Sequence, residues 1–520
     1  GAGLSILLAA ALAVSGNLHP FTLRWLGGGL ALFGCFHAIP LLLHSYVRLR
    51  GLWLESDRFA KFLWLCLLSL LFVRLNRCLL PSTNWDTLGY HLELLRAHLG
   101  SGDLSALYDL PTDRRVPLLG TWLKSWYYAW DEHGRGIALA NWSFHIATLS
   151  SLYSLSTRLY PATLAPGILF AYAGLSEAGV HLHGAGDETF FCAATLMVLE
   201  LIFSSKTTRR ELWAGWLACG SLLGIKLITL LWTPWLMLGL LLKKNGSAGF
   251  AGVICVLILG GLSYGPGWYH YDMFYPVTRH ANLLYSEPTE NSPRVFRTED
   301  IREQRDRLGI PRDVNDRGFA ENNIARWFQN VQTFLLSPLG PGTWWFILLL
   351  PWILRSPSSP MLESKTLWLS LFCLLSLNSC FALWPFSGPA LTRYTLPLST
   401  PWTIVCIGSV LALAARHGRL RHVRLALGIL MLFALALEGR ELLKRWDLQA
   451  WTQPRAYLLN RAAGGAFIQH LETFNPNEGR IFYIGPSPYL LSSSHALAAG
   501  IGNEVGWRNP DDVPAWLRQK

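Results

Sequence analysis

The chain has 520 residues, of which 51% are hydrophobic and only 15% are charged. A soluble protein carries about 25% charged residues, so this balance excludes a disordered chain and argues against a soluble fold. The net charge of +11 would suggest nucleic acid in a soluble protein. In so apolar a chain it indicates basic cytoplasmic loops and contacts with anionic membrane lipids, and we expect no nucleic-acid partner.

Apolar runs recur along the whole chain, and a helix needs roughly 20 predominantly apolar residues to cross a bilayer. The sequence therefore predicts an all-α polytopic integral membrane protein with about 13 transmembrane helices, some of them short. In chain order the runs lie at 3–16, 21–47, 60–80, 136–157, 162–178, 187–204, 211–223, 225–242, 249–265, 341–354, 366–384, 395–415 and 425–438. The first run has no basic segment before it, so we interpret it as a helix or an anchor rather than a cleavable signal.

Basic residues orient the helices, because Lys and Arg collect in cytoplasmic loops. With thirteen helices, every basic cluster falls on the same side, which is then the cytoplasm. These clusters lie at 48–61, 206–210, 243–244, 355–365 and 416–424. The opposite, extracytoplasmic side receives the polar regions 81–135, 266–340 and 439–520 and two short turns, 177–187 and 384–393. Large polar segments gathered on one face suggest chemistry at that face.

Cysteine usage gives no sign of a metal or a disulfide framework. All nine cysteines fall in or beside apolar runs, and neither a CxxC pair nor a Cys/His metal spacing occurs. In the last polar region, the pattern of Arg480-Ile-Phe-Tyr-Ile-Gly485 predicts a strand that ends in a turn. The sequence therefore predicts a small C-terminal α/β segment.

The first acidic motif is Asn84-Trp-Asp-Thr-Leu-Gly-Tyr-His91, directly after the third apolar run. We expect Asp86 at the outer membrane surface. Leucines at 88, 92, 95 and 99 follow at helical spacing, which predicts an amphipathic helix in the membrane interface. Asp86 could instead only cap this helix, and both roles can coexist.

The second acidic motif is His181-Leu-His-Gly-Ala-Gly-Asp-Glu188, at the outer start of the sixth run. Adjacent carboxylates are costly where a helix enters lipid. Asp187 and Glu188 could be stabilised by the positive end of that helix. Alternatively, the carboxylates with His181 and His183 could hold a divalent cation that prefers oxygen ligands, Mg²⁺ or Mn²⁺.

Two basic motifs complete the set. Gly224-Ile-Lys-Leu-Ile-Thr229 places Lys226 in an apolar outer turn with no acidic residue near it in sequence. The lysine either reaches to the interface or binds a phosphate carried on a lipid. Arg393, in Leu391-Thr-Arg-Tyr-Thr-Leu-Pro397, could bind phosphate or one of the acidic residues. Arg74 and Arg77 are expected to be interface anchors or to form structural ion pairs.

The order of these motifs resembles that of the GT-C superfamily of membrane glycosyltransferases. An apolar helix is followed by Trp-Asp-x-x-x-Tyr-His, then by Asp-Glu at the start of a helix, by Gly-x-Lys-x-x-Thr and by Arg-Tyr-x-x-Pro. The pattern is most similar to bacterial relatives of protein O-mannosyltransferases and the lipid A aminoarabinose transferase. The resemblance covers roughly residues 60 to 415. The chain departs from the family pattern in its two additional N-terminal helices and its short C-terminal segment.

The resemblance implies a domain division. Residues 1–59 hold the two additional transmembrane helices, and 60–265 form a GT-C-like catalytic module whose first outer loop is 81–135. A large extracytoplasmic loop spans 266–340, the C-terminal transmembrane helices span 341–438, and a small extracytoplasmic segment spans 439–520. The implied location is a bacterial inner membrane, with the active site facing the periplasm or the exterior.

The resemblance also implies a reaction. A sugar moves from a polyprenyl-phosphate-linked donor to a glycan, lipid or protein acceptor, with inversion at the anomeric carbon. Asp86 matches the family's catalytic carboxylate and would be the general base. Asp187 and Glu188 match its second acidic site, and Lys226 with Arg393 would stabilise the leaving phosphate. Tyr90, His91, His181 and His183 are candidate supporting residues within the same motifs.

Two other functions fit the sequence. A lipid or solute transporter would place charged residues along a path through the membrane rather than at one face. A non-catalytic GT-C-like subunit of a membrane complex would explain the two additional N-terminal helices.

Overall fold

A computed structural model describes most of the chain. The described residues are 2–83, 87–103, 118–174, 179, 181–243, 246–271, 323–336, 343, 347–349, 364–383, 389–462, 468–469, 481–485 and 496–500. The proposed base Asp86 and most of the loop 266–340 lie outside them.

Helices make up nearly all of the described structure, and they follow the apolar runs. The N-terminal half contains α1 Ala2–Val14, α2 Pro20–Glu55, α3 Arg58–Cys78, α4 Leu92–Ser101, α5 Leu118–Tyr128, α6 Arg135–Leu159, α7 Ala165–Ala173 and α8 Glu188–Phe203. The remainder contains α9 Arg209–Ile225, α10 Thr233–Leu241, α11 Gly246–Tyr271, α12 Asn323–Leu336, α13 Ser364–Leu383, α14 Pro389–Arg416, α15 Leu420–Arg445, α16 Gln449–Thr452 and α17 Pro454–Arg461.

Four of the described helices are long and apolar enough to cross a bilayer: Arg58–Cys78, Ser364–Ala382, Arg393–Arg416 and Leu420–Arg445. The last of these has only 22% of its apolar window buried inside the protein, so its other apolar side chains face outward, as lipid contact requires. The chain is thus a multi-pass membrane protein. The number of thirteen spans stays a prediction, because the run 341–354 lies largely outside the described residues.

Helices α3 and α15 are joined by ion pairs at both ends. Near their basic ends, Arg424 Nη1 lies 2.7 Å from Asp57 Oδ2, and Asp57 also caps α3 by accepting from Ala60 N. Two of the predicted basic clusters therefore lie at the same end of the bundle. At the other end, buried Arg74 Nε lies 3.2 Å from Glu438 Oε1, and Arg77 bonds the second oxygen of that carboxylate. The two arginines thus form the predicted structural ion pairs.

The polar region 81–135 contains more helix than the sequence predicted. A short π-helical turn, Thr87–His91, leads into α4, so the predicted helix is confirmed, and its four leucines are buried inside the protein. Its location in the membrane interface stays a prediction. The helix ends at Gly102, whose φ of 75° favours glycine. Helix α5 was not predicted, since 11 residues are too few for a membrane span.

The predicted C-terminal strand is confirmed. Ile481–Gly485 pairs in parallel with Ala496–Gly500, with Ile481 opposite Ala496. Together with α16 and α17, which precede it, this two-stranded sheet gives the C-terminal segment a mixed α/β character.

Candidate active site

The second acidic motif forms a buried turn that leads into α8. We define the acidic turn as residues 182–188. Asp187 stands at the N-cap position of α8, yet its side chain makes no capping hydrogen bond, and Glu188 is the first helical residue. Both side chains are buried. Capping therefore does not account for the burial of the Asp187 carboxylate. A charged partner from another helix does account for it.

That partner is Lys124 of α5. Lys124 Nζ lies 2.8 Å from Asp187 Oδ1 and 3.4 Å from Nδ1 of His91, and all three side chains are buried. Because an ammonium only donates, His91 accepts through Nδ1. Burial, followed by the neighbouring Lys124 charge, holds the pKa of His91 well below its usual range. His91 is thus a neutral ring beside a charged pair.

Glu188 gathers the two predicted phosphate-binding residues. Arg393 Nε lies 2.5 Å from Glu188 Oε1, and Lys226 Nζ lies 3.5 Å from the same oxygen. The Lys226 ammonium also stands 4.5 Å from the centre of the Tyr394 ring, in cation–π geometry. In the sequence, Lys226 has no acidic residue near it. The structure corrects the expectation of an unpaired lysine, because the start of α8 places Glu188, 38 residues away in sequence, beside the ammonium.

The turn that carries Lys226 is fixed by side chains next to it. Thr229 donates its hydroxyl hydrogen to the carbonyls of Leu222 and Lys226, at 2.8 Å each. Gly224 is needed because a Cβ there would overlap Leu119 of α5. The Gly-x-Lys-x-x-Thr spacing therefore has a structural reason: the glycine admits α5 and the threonine holds the lysine turn.

The acidic turn is itself held by side chains from two other segments. Asn141 of α6 donates from Nδ2 to the carbonyls of Gly184, at 2.8 Å, and Gly186, at 3.4 Å. Its Oδ1 accepts from the Thr189 hydroxyl at 3.0 Å. The Ala185 amide donates to Thr87 Oγ1 at 2.9 Å. Thr87 directly follows Asp86, so the two acidic motifs are linked.

The other candidate residues are placed less centrally. His183 is buried with its Nδ1 4.0 Å from Cys78 Sγ, close to the Arg77 end of α3, and burial lowers its pKa well below the usual range. His181 is half-buried in the same turn. The Tyr90 backbone belongs to the π-helical turn, whereas the Tyr90 side chain and all of Asp86 lie outside the described residues.

The two carboxylates do not fit a divalent cation in the observed arrangement. Asp187 is paired with Lys124, and Glu188 is paired with Arg393 and Lys226, so positive charge already surrounds both. Among the described residues no group of three or more His, Cys, Asp or Glu side chains could hold a metal. The Mg²⁺ or Mn²⁺ site stays a prediction that this arrangement does not favour.

Lys124, Thr87 and Asn141 are the site residues that sequence reasoning missed. Lys124 is the single charged residue in the apolar stretch Leu118–Tyr128, and Asn141 is a lone amide in an apolar run. A single polar side chain in an apolar stretch indicates a buried polar partner, because burying the side chain without one is costly. Their partners lie more than thirty residues away in sequence, so no local pattern identifies them.

The fold is similar to that of a membrane protein whose structure has been solved. In particular, it is similar to ArnT, a lipid A aminoarabinose transferase, from Cupriavidus metallidurans. The crystal structure bound to undecaprenyl phosphate has a TM-score of 0.51 and 13% sequence identity over 84% of this chain and 85% of that chain. The apo structure gives 0.51 and 14% over 87% and 88%. Neither a family model nor a curated protein sequence matches the chain. At this identity the likeness is one of fold.

The Lys124–Asp187 pair carries a prediction about stability. Lys124→Met leaves a buried carboxylate without its ammonium, which typically costs about 3–5 kcal/mol. We expect the thermal midpoint of the purified protein to fall by several degrees and the double variant Lys124→Met/Asp187→Leu to recover much of the loss. The control is Lys444→Met, because the Lys444–Glu441 pair is about half exposed and should contribute little. A midpoint unchanged in Lys124→Met would contradict the pairing.

His98 carries a prediction about pH. Its fully buried ring accepts from Trp122 Nε1 at 3.1 Å, and burial lowers its pKa from 6.5 to about 4. Between these values the unfolded chain binds a proton that the folded chain excludes, so stability is lost as the pH falls from 6.5 to 4, by up to about 3 kcal/mol. His98→Gln, which keeps an acceptor for Trp122, should show a smaller drop in thermal midpoint between pH 7.5 and 5. An equal drop in both proteins would assign the acid sensitivity to other groups.

Proposed function

We propose that the chain transfers a sugar from a polyprenyl-phosphate-linked donor to an acceptor at the extracytoplasmic face of the membrane. The observation that carries the proposal is the cluster of two partly buried cations, Lys226 and Arg393, around the buried carboxylate of Glu188. It is supported by the fold shared with ArnT, whose crystal structure contains undecaprenyl phosphate.

The cluster suits the phosphate of a lipid-linked sugar. Two cations share one carboxylate oxygen, so these three side chains together keep one positive charge. A phosphodiester carries one negative charge, and its lipid tail holds it at the membrane surface. Arg393 supplies a planar guanidinium and Lys226 a compact ammonium, and both are common phosphate ligands. Binding such an anion offsets the cost of partly burying an excess cation.

In the proposed reaction the phosphate of the donor binds to this cluster. The acceptor oxygen or nitrogen forms a bond to the anomeric carbon, the bond from that carbon to the phosphate oxygen breaks, and its electron pair leaves with the phosphate. Lys226 and Arg393 stabilise the second negative charge that the phosphate gains. Asp86 takes the proton of the acceptor as general base. In-line attack at one carbon inverts the anomeric configuration.

Asp187 and Glu188 have distinct roles in this proposal. Glu188 holds the two phosphate-binding cations together, which would otherwise repel each other. Asp187 is held in place by Lys124 and orients the acceptor beside neutral His91. Sensitivity of transfer to chelation tests the alternative in which the two carboxylates hold Mg²⁺ or Mn²⁺.

The orientation of the site gives a topology prediction. Helix α3 begins beside Asp57, at the basic end of the bundle, and ends at Cys78, next to the acidic turn. If the basic end faces the cytoplasm, the site faces outward. Cysteines introduced at Ser101 and Ser492 should then react with a membrane-impermeant reagent in intact cells. Protection of both until the cells are lysed would refute this orientation.

Mass spectrometry of lipid-linked sugars tests the function. Cells that lack the gene should accumulate one polyprenyl-phosphate sugar and lose its sugar from one class of glycan, lipid or protein. The wild-type gene should reverse both changes, and a gene encoding Asp86→Asn should not. Full restoration by the Asn variant would favour the non-catalytic subunit, and unchanged lipid-linked sugars would refute the transfer.

A further inference from the structure

The backbone around Asp187 and Glu188 is fixed from outside its own helix. Asn141 reaches it from α6 and Thr87 reaches it from the π-helical turn before α4, and both side chains are at least 97% buried. In addition, the Cys78 thiol at the end of α3 donates to the Leu182 carbonyl at a sulfur–oxygen distance of 3.7 Å. A turn that carries two buried charges is thus held by side chains that are distant in sequence.

We propose that Thr87 and Asn141 are positioning residues that lock the acidic turn in the geometry that transfer requires. The inference rests on the proposed function, because it states how that site is kept in register. Neither residue touches the reacting groups in this account, and each acts through the backbone of the turn.

Asn141 fixes the turn on both sides of the carboxylates. Its amide nitrogen bonds two carbonyls that precede Asp187, and its amide oxygen accepts from Thr189, which follows Glu188. One planar side-chain group therefore spans the whole acidic pair. The hydrogen bonds of the Asn141 amide can all form together in only one arrangement of the turn. The side chain therefore fixes the backbone at the start of α8 and the directions in which the two carboxylates point.

Thr87 couples the two acidic motifs. Its hydroxyl accepts from the Ala185 amide at 2.9 Å, and it is the sequence neighbour of the proposed base, one Cα–Cα step of about 3.8 Å away. A link at this point joins the start of the π-helical turn to the acidic turn that carries Asp187. Misplacement by about 1 Å in such a site can cost roughly 100-fold in rate.

Hydrogen exchange tests the lock independently of any activity. In Thr87→Val the Ala185 amide loses its acceptor while the side-chain shape is kept, so we expect its exchange to become at least about 10-fold faster in peptides that cover the acidic turn. Thr87→Ser keeps the hydroxyl and should retain protection. The matched control is Thr148→Val on α6, because Thr148 is equally buried but its hydroxyl bonds only the Phe144 carbonyl of its own helix.

Transfer kinetics test the consequence. Thr87→Val and Asn141→Asp should lower kcat by about 10- to 100-fold and leave the KM for the lipid donor within about 2-fold, with recovery in Thr87→Ser. Unchanged exchange in Thr87→Val would overturn the lock, and faster exchange with an unchanged kcat would overturn the positioning role. If the wild-type protein transfers no sugar, the proposed function fails, while the exchange comparison still decides whether the turn is locked.

Discussion

Replacing Asp86 with asparagine is expected to lower turnover by about 10²- to 10⁴-fold, the usual contribution of a general base. Asparagine keeps the shape and the capping ability of the side chain but cannot accept the acceptor's proton. Folding and membrane insertion should therefore be unaffected. A residue that only caps the following helix would show the opposite pattern, with nearly full activity in the asparagine variant.

The measurement is the initial rate of transfer in reconstituted vesicles, read together with the thermal midpoint of each protein. Asp131→Asn is the matched control, since Asp131 lies in the same polar region, where it accepts from the Arg135 amide and pairs with the Arg135 guanidinium at 2.7 Å. Its replacement should leave the rate unchanged. Equal rates for wild type and Asp86→Asn would eliminate Asp86 as the base.

Removing the Lys226 ammonium is expected to weaken use of the lipid donor by about 10- to 100-fold, as loss of a hydrogen bond to a charged group typically does. Lys226→Arg should restore part of this loss, because arginine keeps the charge but changes its reach and geometry. Stability should fall little, since Arg393 remains 2.5 Å from the Glu188 oxygen that both cations share. The carboxylate would thus not be left alone.

The dependence of rate on donor concentration measures this effect. Lys243→Ala serves as the control, because Lys243 bonds the Ser204 carbonyl among the basic loops, away from the acidic turn. A donor response that is unchanged in Lys226→Ala but weakened in Arg393→Ala would shift phosphate binding to the arginine. Unchanged responses in both would remove the lipid phosphate from this cluster.

The sequence predicted the helical architecture well because membrane helices leave a strong local signal. Each apolar run in the described part of the chain coincides with a helix, and strand 481–485 was recognised from its short apolar pattern. Helix α5 was not predicted, because its 11 residues lie within a region that is polar on average. A hydropathy criterion set by bilayer thickness cannot identify so short a helix.

The candidate site was only partly predictable, for a different reason. The motifs identified Asp187, Glu188, Lys226 and Arg393, yet the pairing among them depends on how distant helices pack. The sequence offered the positive end of the helix as the partner of Asp187, whereas the structure shows the Lys124 ammonium 2.8 Å from its carboxylate. Likewise Glu438 forms ion pairs with Arg74 and Arg77, which lie more than 360 residues away in sequence. No local sequence pattern predicts these contacts.

Sugar transfer from a polyprenyl phosphate must release the lipid carrier, and this release can be measured with purified protein. Lipid-linked sugars extracted from cells that lack the gene would be supplied in vesicles together with membranes from the same cells as the source of acceptor. We expect wild-type protein to release one free polyprenyl phosphate for each sugar transferred, with little release by Asp86→Asn or Lys226→Ala. Absence of release by folded wild-type protein, with the lipid-linked sugars left intact, would contradict the proposed transfer.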